Sequence, residues 1–115
     1  MKEIIVDGKI FVEKFVEKKE QSNFCIVRTY TAGVHAGYLK ERQGKEVVLT
    51  NAIRIWSWKG AASLSEMAMS GVKYPKECKF AVAVDEILLL EAIEIIKCTE
   101  EAMKNIQGVT PWTTK

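Results

Sequence analysis

Histidine occurs once in this sequence, at His35, cysteine three times and proline twice. Around that one imidazole the sequence offers no Ser-His-Asp or Cys-His constellation, which leaves classical nucleophilic catalysis little support and points away from an enzyme; no catalytic residue is assigned. Cys25, Cys78 and Cys98 form no CxxC pair. An odd number of thiols spaced this widely makes neither a disulfide framework nor a zinc site, so reduced, mostly buried thiols are expected, with no metal and no cofactor. Proline is too sparse for a Pro-rich linker, and no apolar run reaches the ~18 residues of a membrane span. The apolar start at residues 4–6 is broken at Asp7-Gly8 before it can form the core of a secretory signal, so a cytoplasmic location is expected. A large charge of one sign is missing too. Seventeen basic against fifteen acidic side chains leave +2, too little for a protein whose main partner is polymeric nucleic acid.

What the chain has is 48% hydrophobic and 28% charged residues over a length of 115, enough apolar surface for one folded core and hardly two. A single domain over 1–115 is expected. Residues 4–6 and 10–12 flank Asp7-Gly8 as the arms of a hairpin, while Phe11/Phe15 and Val12/Val16 also recur at helical spacing, so 10–20 reads as strand or as amphipathic helix. Residues 24–30 are aromatic and β-branched over a strand's length. Gly33 and Gly37 mark places where backbone turns or approaches something closely, and 31–39 reads as the antiparallel partner of 24–30. Gln43-Gly44 makes the next turn, and 46–58 reads as a long central strand. From Gly60 the period becomes helical, with Leu64, Met67, Ala68 and Gly71 on one face, predicting a helix over 60–71. Residues 80–84 and 87–96 read as strand with a polar kink at Asp85-Glu86, with a helix over 86–96 as the alternative. Thr99 suits the N-cap of a helix through Ile106 that Gly108 stops. Strands outnumber helices, so the fold class is α+β: a mainly antiparallel twisted sheet with two short helices.

The two-residue period of a strand places Phe24, Ile26, Arg28 and Tyr30 on one face, and Arg54, Trp56 and Trp58 together on another strand. Indoles stack on nucleobases and guanidinium forks grip phosphate oxygens bidentately, so this pairing suits a small nucleotide. Aromatic residues on strands equally serve a core or an oligomer interface. The turn Trp58-Lys59-Gly60 precedes a helix start, where free N–H groups beside Lys59 would seat an anion. It matches neither a Walker loop nor a dinucleotide fingerprint, and a bare helix start would look the same. Thr31 and His35, with the glycines around them, are compatible with gripping ribose or phosphate, although a lone histidine more often simply packs. Asp85, Glu86, Glu91 and Glu94 complete no acid/base pair and read as a solvated face or intersubunit salt bridges.

The strings CIVRTYTAGVHAGY (25–38), NAIRIWSWKGAASLS (51–65) and CKFAVAVDEI (78–87) resemble a family of small phage-encoded proteins of the Thoeris anti-defence type. The chain departs from that pattern at Ile53, Ser57, Ala81 and Lys97. The resemblance implies a homo-oligomeric α+β sponge, dimer or hexamer, acting in the host cytoplasm. It implies binding of a cyclic ADP-ribose-type immune messenger such as glycocyclic ADP-ribose, sequestered without cleavage, and in some members cyclic oligonucleotides. On that reading Trp56 or Trp58 stacks the base and Arg28 and Arg54 pair the diphosphate, with Tyr30, Thr31, His35 and Lys59 as further contacts. The rivals are a phage structural or interaction protein with no small ligand, and a hydrolase of the same messenger.

Self-association is expected on physical grounds as well. A chain of 115 residues has a small core, and the large apolar side chains on its expected strand faces exceed what that core buries. Light scattering should return at least twice the mass of one chain. Single-chain mass across a wide concentration range would overturn this.

Overall fold

The computed structural model describes residues 23–114; the hairpin expected over 4–12 and the strand-or-helix segment 10–20 lie outside the described residues. Strand β1 is Phe24–Thr29. Its alternation sends Phe24 and Ile26 to one face and Cys25 and Val27 to the other, and all four are buried, so both faces are covered. The strand stops one residue short of the expected Tyr30 because Thr29 folds the chain back. Its hydroxyl donates to the Gly33 carbonyl at 2.7 Å and accepts from the Ala32 N–H at 2.9 Å, a side-chain-closed turn. Strand β2, Val34–Gln43, returns antiparallel to β1, with Phe24 opposite Tyr38 and Arg28 opposite Val34. Gly44, at φ 64°, makes the turn into β3, Glu46–Ser57. Three shorter strands follow: β4, Lys79–Phe80; β5, Val84–Leu89; and β6, Ala92–Lys97.

These six strands form one antiparallel sheet in the order β4-β3-β2-β1-β6, with β5 also on β3. The outer edge of β3 is shared. Its C-terminal end pairs with β4 (Ile55 opposite Phe80) and its N-terminal half with β5 (Val47 opposite Leu89, Ala52 opposite Val84). Meanwhile β6 pairs with β1, at the other end of the order. Only Leu90 and Glu91 separate β5 from β6, and two residues span little more than ~7 Å. The sheet therefore curls until its two ends meet, as an open barrel. The corner is tied by main-chain bonds from Tyr30 N–H to the Glu91 carbonyl at 2.9 Å and from Ala92 N–H to the Lys45 carbonyl at 3.0 Å.

Curling gives the sheet two cores. Inside lie Cys25, Val27, Val47, Leu49, Ala52 and Leu89. On the outer face, Phe24, Ile26, Ile53, Ile55 and Phe80 pack under the helices with Met67, Ala68, Ala102 and Ile106. Each large side chain fully buried this way contributes about 1.5–3 kcal/mol. At Gly37 the backbone of β2 lies close against β3. A Cβ there would lie 3.0 Å from the Thr50 carbonyl oxygen and 3.1 Å from the Ala52 Cα, so the close approach anticipated at this glycine is between neighbouring strands.

The helices are α1, Leu64–Ser70, and α2, Glu100–Gln107. The first begins later than the expected residue 60 because Ser63 is its N-cap, accepting from the Glu66 N–H at 3.1 Å. Thr99 caps α2 in the same way through the Ala102 N–H, and Gly71 ends α1 at φ 80°. The kink expected at Asp85-Glu86 is absent: Glu86 continues β5 as an outward position and pairs with Lys40 at 3.1 Å. The breaks fall instead at 81–83, which divides the strand expected over 80–84 between the end of β4 and the start of β5, and at Leu90-Glu91. The helical alternative for 86–96 also yields to two strands, since β1 and β3 supply the backbone partners and tertiary pairing overrides propensity. The intersubunit role suggested for the acids has an intramolecular counterpart, Glu94 holding Arg28 and Glu86 holding Lys40.

Two side chains tie the helical segments together: the Thr99 hydroxyl donates to the Met69 carbonyl of α1 at 2.8 Å, and Asn105 reaches the residue after Gly71. Asn105 accepts from the Val72 N–H at 2.8 Å and donates to the Val72 carbonyl at 3.0 Å. Replacing it strands two polar groups of a residue that is nearly fully buried. Asn105→Ala should lower stability by ~2 kcal/mol, measured by urea denaturation at unchanged m-value; a loss below ~0.5 kcal/mol would mean that water replaces the clip.

Candidate functional site

The inner face of the barrel carries the polar side chains the sequence singled out. Across the strands run the residues Val27, His35 and Arg54, directly opposite one another on β1, β2 and β3. The neighbouring row is Arg28, Val34 and Ile55, and Val34 and Ile55 pack on the helix side. The two arginines therefore stand on opposite faces of the sheet.

This corrects the expectation that Arg28 and Arg54 grip one diphosphate together in a chain. Arg28 donates through Nε to Glu94 at 2.8 Å. Arg54, by contrast, has no carboxylate partner among the described residues; its guanidinium carbon lies 5.4 Å from the Trp56 ring centroid. That is cation–π distance. Arg54 and Trp56 share a face as the strand period requires, and Trp56 is 57% exposed.

Trp58 leaves that face. It follows the end of β3, its indole N–H donates to the Ala61 carbonyl at 3.1 Å, and it packs against the helix-side core. Lys59 is likewise committed through its backbone, to the Cys78 sulfur and the Tyr74 N–H. The anion seat expected beside it is filled from within: the Glu66 carboxylate accepts from the Ala62 N–H at 2.7 Å while Ser63 accepts from Glu66, a reciprocal capping arrangement that satisfies those donors. Tyr30 is 75% exposed beyond the end of β1, and the Thr31 hydroxyl donates to Glu91 at 3.2 Å.

His35 is the unusual member. It is 1% exposed, with Nε2 2.9 Å from the Ala32 carbonyl. A carbonyl only accepts, so Nε2 carries the proton and Nδ1 presents a lone pair. That Nδ1 is buried and has no partner, an unmet acceptor of the kind that calls for an explanation. Burial holds the His35 pKa below its ordinary 6.5; the bond to Ala32 opposes that shift and the positive Arg54 adds to it. The ring is neutral at pH 7.

Two clefts open on either side of Arg54. One, of about 240 Å³, is lined by His35, Ala52, Arg54, Trp56 and Ile87 among others. The second, of about 490 Å³, adds Thr29, Thr31, Ala32 and Glu91. The site thus offers a free cation, an indole face, a buried acceptor and a hydroxyl around one guanidinium. Of the expected residues it unites His35, Arg54, Trp56 and Thr31, and leaves Arg28, Tyr30, Trp58 and Lys59 outside. The reading of the sequence missed Thr29 and Ala32, although a Thr followed four residues later by Gly is a turn signal that would have placed them.

Among the described residues no group of three His, Cys, Asp or Glu side chains is placed to hold a metal, and no helix is long and apolar enough to cross a membrane. All three cysteines are free and buried, as expected. Burial pushes the Cys25 thiol up to about 11; burial and then the neighbouring Cys25 raise Cys98 to about 12.

The His35 shift has a consequence for stability. Its folded pKa lies below the unfolded value, so between the two the unfolded chain binds the extra proton. The associated stability is complete above pH ~6.5 and is lost as pH falls from there through the depressed folded value. Thermal melts at pH 7.5 and 5.0 should show an acid loss in the wild type that is smaller in His35→Phe. An equal loss in both would place the acid sensitivity elsewhere.

Compared with known proteins, residues 22–106 match the family model described as a domain of unknown function, DUF6948. No curated protein and no solved structure matches the chain.

Proposed function

The chain belongs to the DUF6948 family, whose description assigns no activity, and we propose from its own cleft that it binds and holds a small nucleotide of the cyclic ADP-ribose type without cleaving it. The observation that carries this reading is the unpaired Arg54 guanidinium set against the exposed Trp56 ring and beside the unpartnered Nδ1 of His35. A nucleotide meets all three needs. Its phosphate takes the guanidinium by charge-assisted bonds, its base lies on an indole, and a ribose hydroxyl donates to a buried acceptor.

Sequestration agrees with how these groups are arranged. His35 is locked in one tautomer by the Ala32 carbonyl, and Glu91 receives the Thr31 hydroxyl, so each is suited to holding a ligand in register. A sponge acts by slow release, which buried acceptors and desolvated charge favour. The resemblance to Thoeris anti-defence proteins points the same way. A homo-oligomer in the host cytoplasm is part of the proposal, and Leu88, Leu90 and Ile93, exposed around the β5–β6 corner, are an apolar surface that association would cover.

Titration calorimetry with cyclic ADP-ribose and its glycocyclic isomer tests the reading. Arg54→Ala should weaken binding by about 1.5–3 kcal/mol, with poor rescue by lysine, while Arg28→Ala should bind as the wild type does. Mass spectrometry of ligand released by heat should find it intact after hours. A linear or hydrolysed product growing with protein and time would make the protein a hydrolase, and no heat with any such nucleotide would favour an interaction protein without a small ligand.

A further inference from the structure

Trp56 has a second neighbourhood. On the side away from His35 it borders a cleft of about 350 Å³ lined by Trp56, Ser57, Lys79 and Trp112. Trp112 comes from the C-terminal tail, far from the other three in sequence, and the main chain holds it there. Its N–H donates to the Phe80 carbonyl at 2.8 Å, which lays the tail against β4. The ammonium of Lys79, on β4, stands 5.1 Å from the Trp112 ring centroid, as Arg54 stands 5.4 Å from that of Trp56.

Two indoles thus border one cleft, each with a cation against it. They are 57% and 54% exposed, and make no ring contact with each other. A large aromatic surface left in water on both walls of a cleft is unfavourable as it stands and favourable once a flat ring enters. The cations decide which kind of ring. A neutral apolar ring would use the indoles alone, whereas Arg54 and Lys79 give the cleft a positive rim that complements a ring bearing phosphate. Ser57 adds a hydroxyl able to donate or accept at a ring edge.

We propose that the Trp56–Trp112 cleft is the base-binding site of a nucleotide, with Trp112 as a wall of the site and Lys79 as the phosphate's second cation beside Arg54. The choice of a nucleotide rests on the reading given above; the cleft itself does not depend on the nucleotide being cyclic. Trp56 stands between the two clefts, so a base on its Trp112 side and phosphates near Arg54 belong to one continuous ligand.

The experiment uses AMP, ribose 5-phosphate and cyclic ADP-ribose as probes, read by tryptophan fluorescence and calorimetry on the full chain. AMP should quench the wild type, and Trp112→Ala should weaken AMP by about tenfold or more, with partial recovery in Trp112→Phe. Ribose 5-phosphate, which lacks a base, should bind wild type and Trp112→Ala alike, while Lys79→Ala should weaken both phosphates. Circular dichroism confirms that the exposed-site variants fold. Equal AMP affinity in wild type and Trp112→Ala overturns the inference, as does an absence of AMP binding. Cyclic ADP-ribose bound equally by both proteins overturns the base site and leaves sequestration standing. AMP bound through Trp112 with no binding of cyclic ADP-ribose supports the base site and ends the cyclic-messenger reading. Capture of a protein partner through this cleft with no affinity for AMP would also overturn the proposal.

Discussion

The positive φ of Asn51, 48°, is the point on which the arrangement of this protein turns. Thr50 opposes Tyr38 and Ile53 opposes Ala36, so β3 uses three residues where β2 uses two. An extra residue in a period-two strand moves everything beyond it to the other face. Before the bulge Val47 and Leu49 point into the barrel; after it Ala52 does, and Arg54 and Trp56 follow. Ile53 and Ile55 are thereby released to the helix-side core. Without the bulge the inward positions would be Asn51, Ile53 and Ile55, and the guanidinium would lie under the helices, where an unpaired charge is costly. Asparagine is among the few residues that accept the left-handed region at modest cost.

The second constraint is the two-residue link at Leu90-Glu91. It carries the chain from the β3 end of the sheet to the β1 end, and so closes the barrel around a narrow interior. A small barrel fills its interior with side chains, and here the filling ends in a polar layer. Cys25, Val47 and Leu49 give way to His35 and Arg54 toward the Thr29–Gly33 turn. That turn is also what settles the histidine: by closing on itself through Thr29 it aims the Ala32 carbonyl at Nε2, which leaves the other nitrogen as an acceptor. The chemistry available at the mouth of the barrel is thus set by a hydroxyl six residues away along the chain.

Neighbours along the chain were the part of this site that pattern could reach. Arg54 and Trp56 are two apart on a long strand, and the period alone puts them side by side. Trp58 was assigned to the same face by the same rule and does not lie there, because the strand ends at Ser57 and the rule ends with it. Arg28 met the opposite difficulty. Its local period was read correctly, with Phe24 and Ile26 as companions, yet a face has meaning only against the neighbouring strands, and the register across β2 sets it on the side away from Arg54. Nothing near Trp112 in sequence announces Trp56 or Lys79.

The amino-acid sequence by itself determined the class and most of the elements: a central strand from 46 onward, the Gln43-Gly44 turn, the threonine cap of the second helix, three buried thiols and an α+β antiparallel fold. These are governed by interactions within a few residues, where side-chain period and backbone stereochemistry act directly. Tertiary structure alone decided which arginine is left without a partner, which imidazole nitrogen is unmet, and that two tryptophans distant in the chain border one cleft. Those outcomes depend on strand register and on the curl of the sheet, and register is a property of pairs of segments: a shift of one residue in either partner reverses every face while leaving each segment's own pattern unchanged.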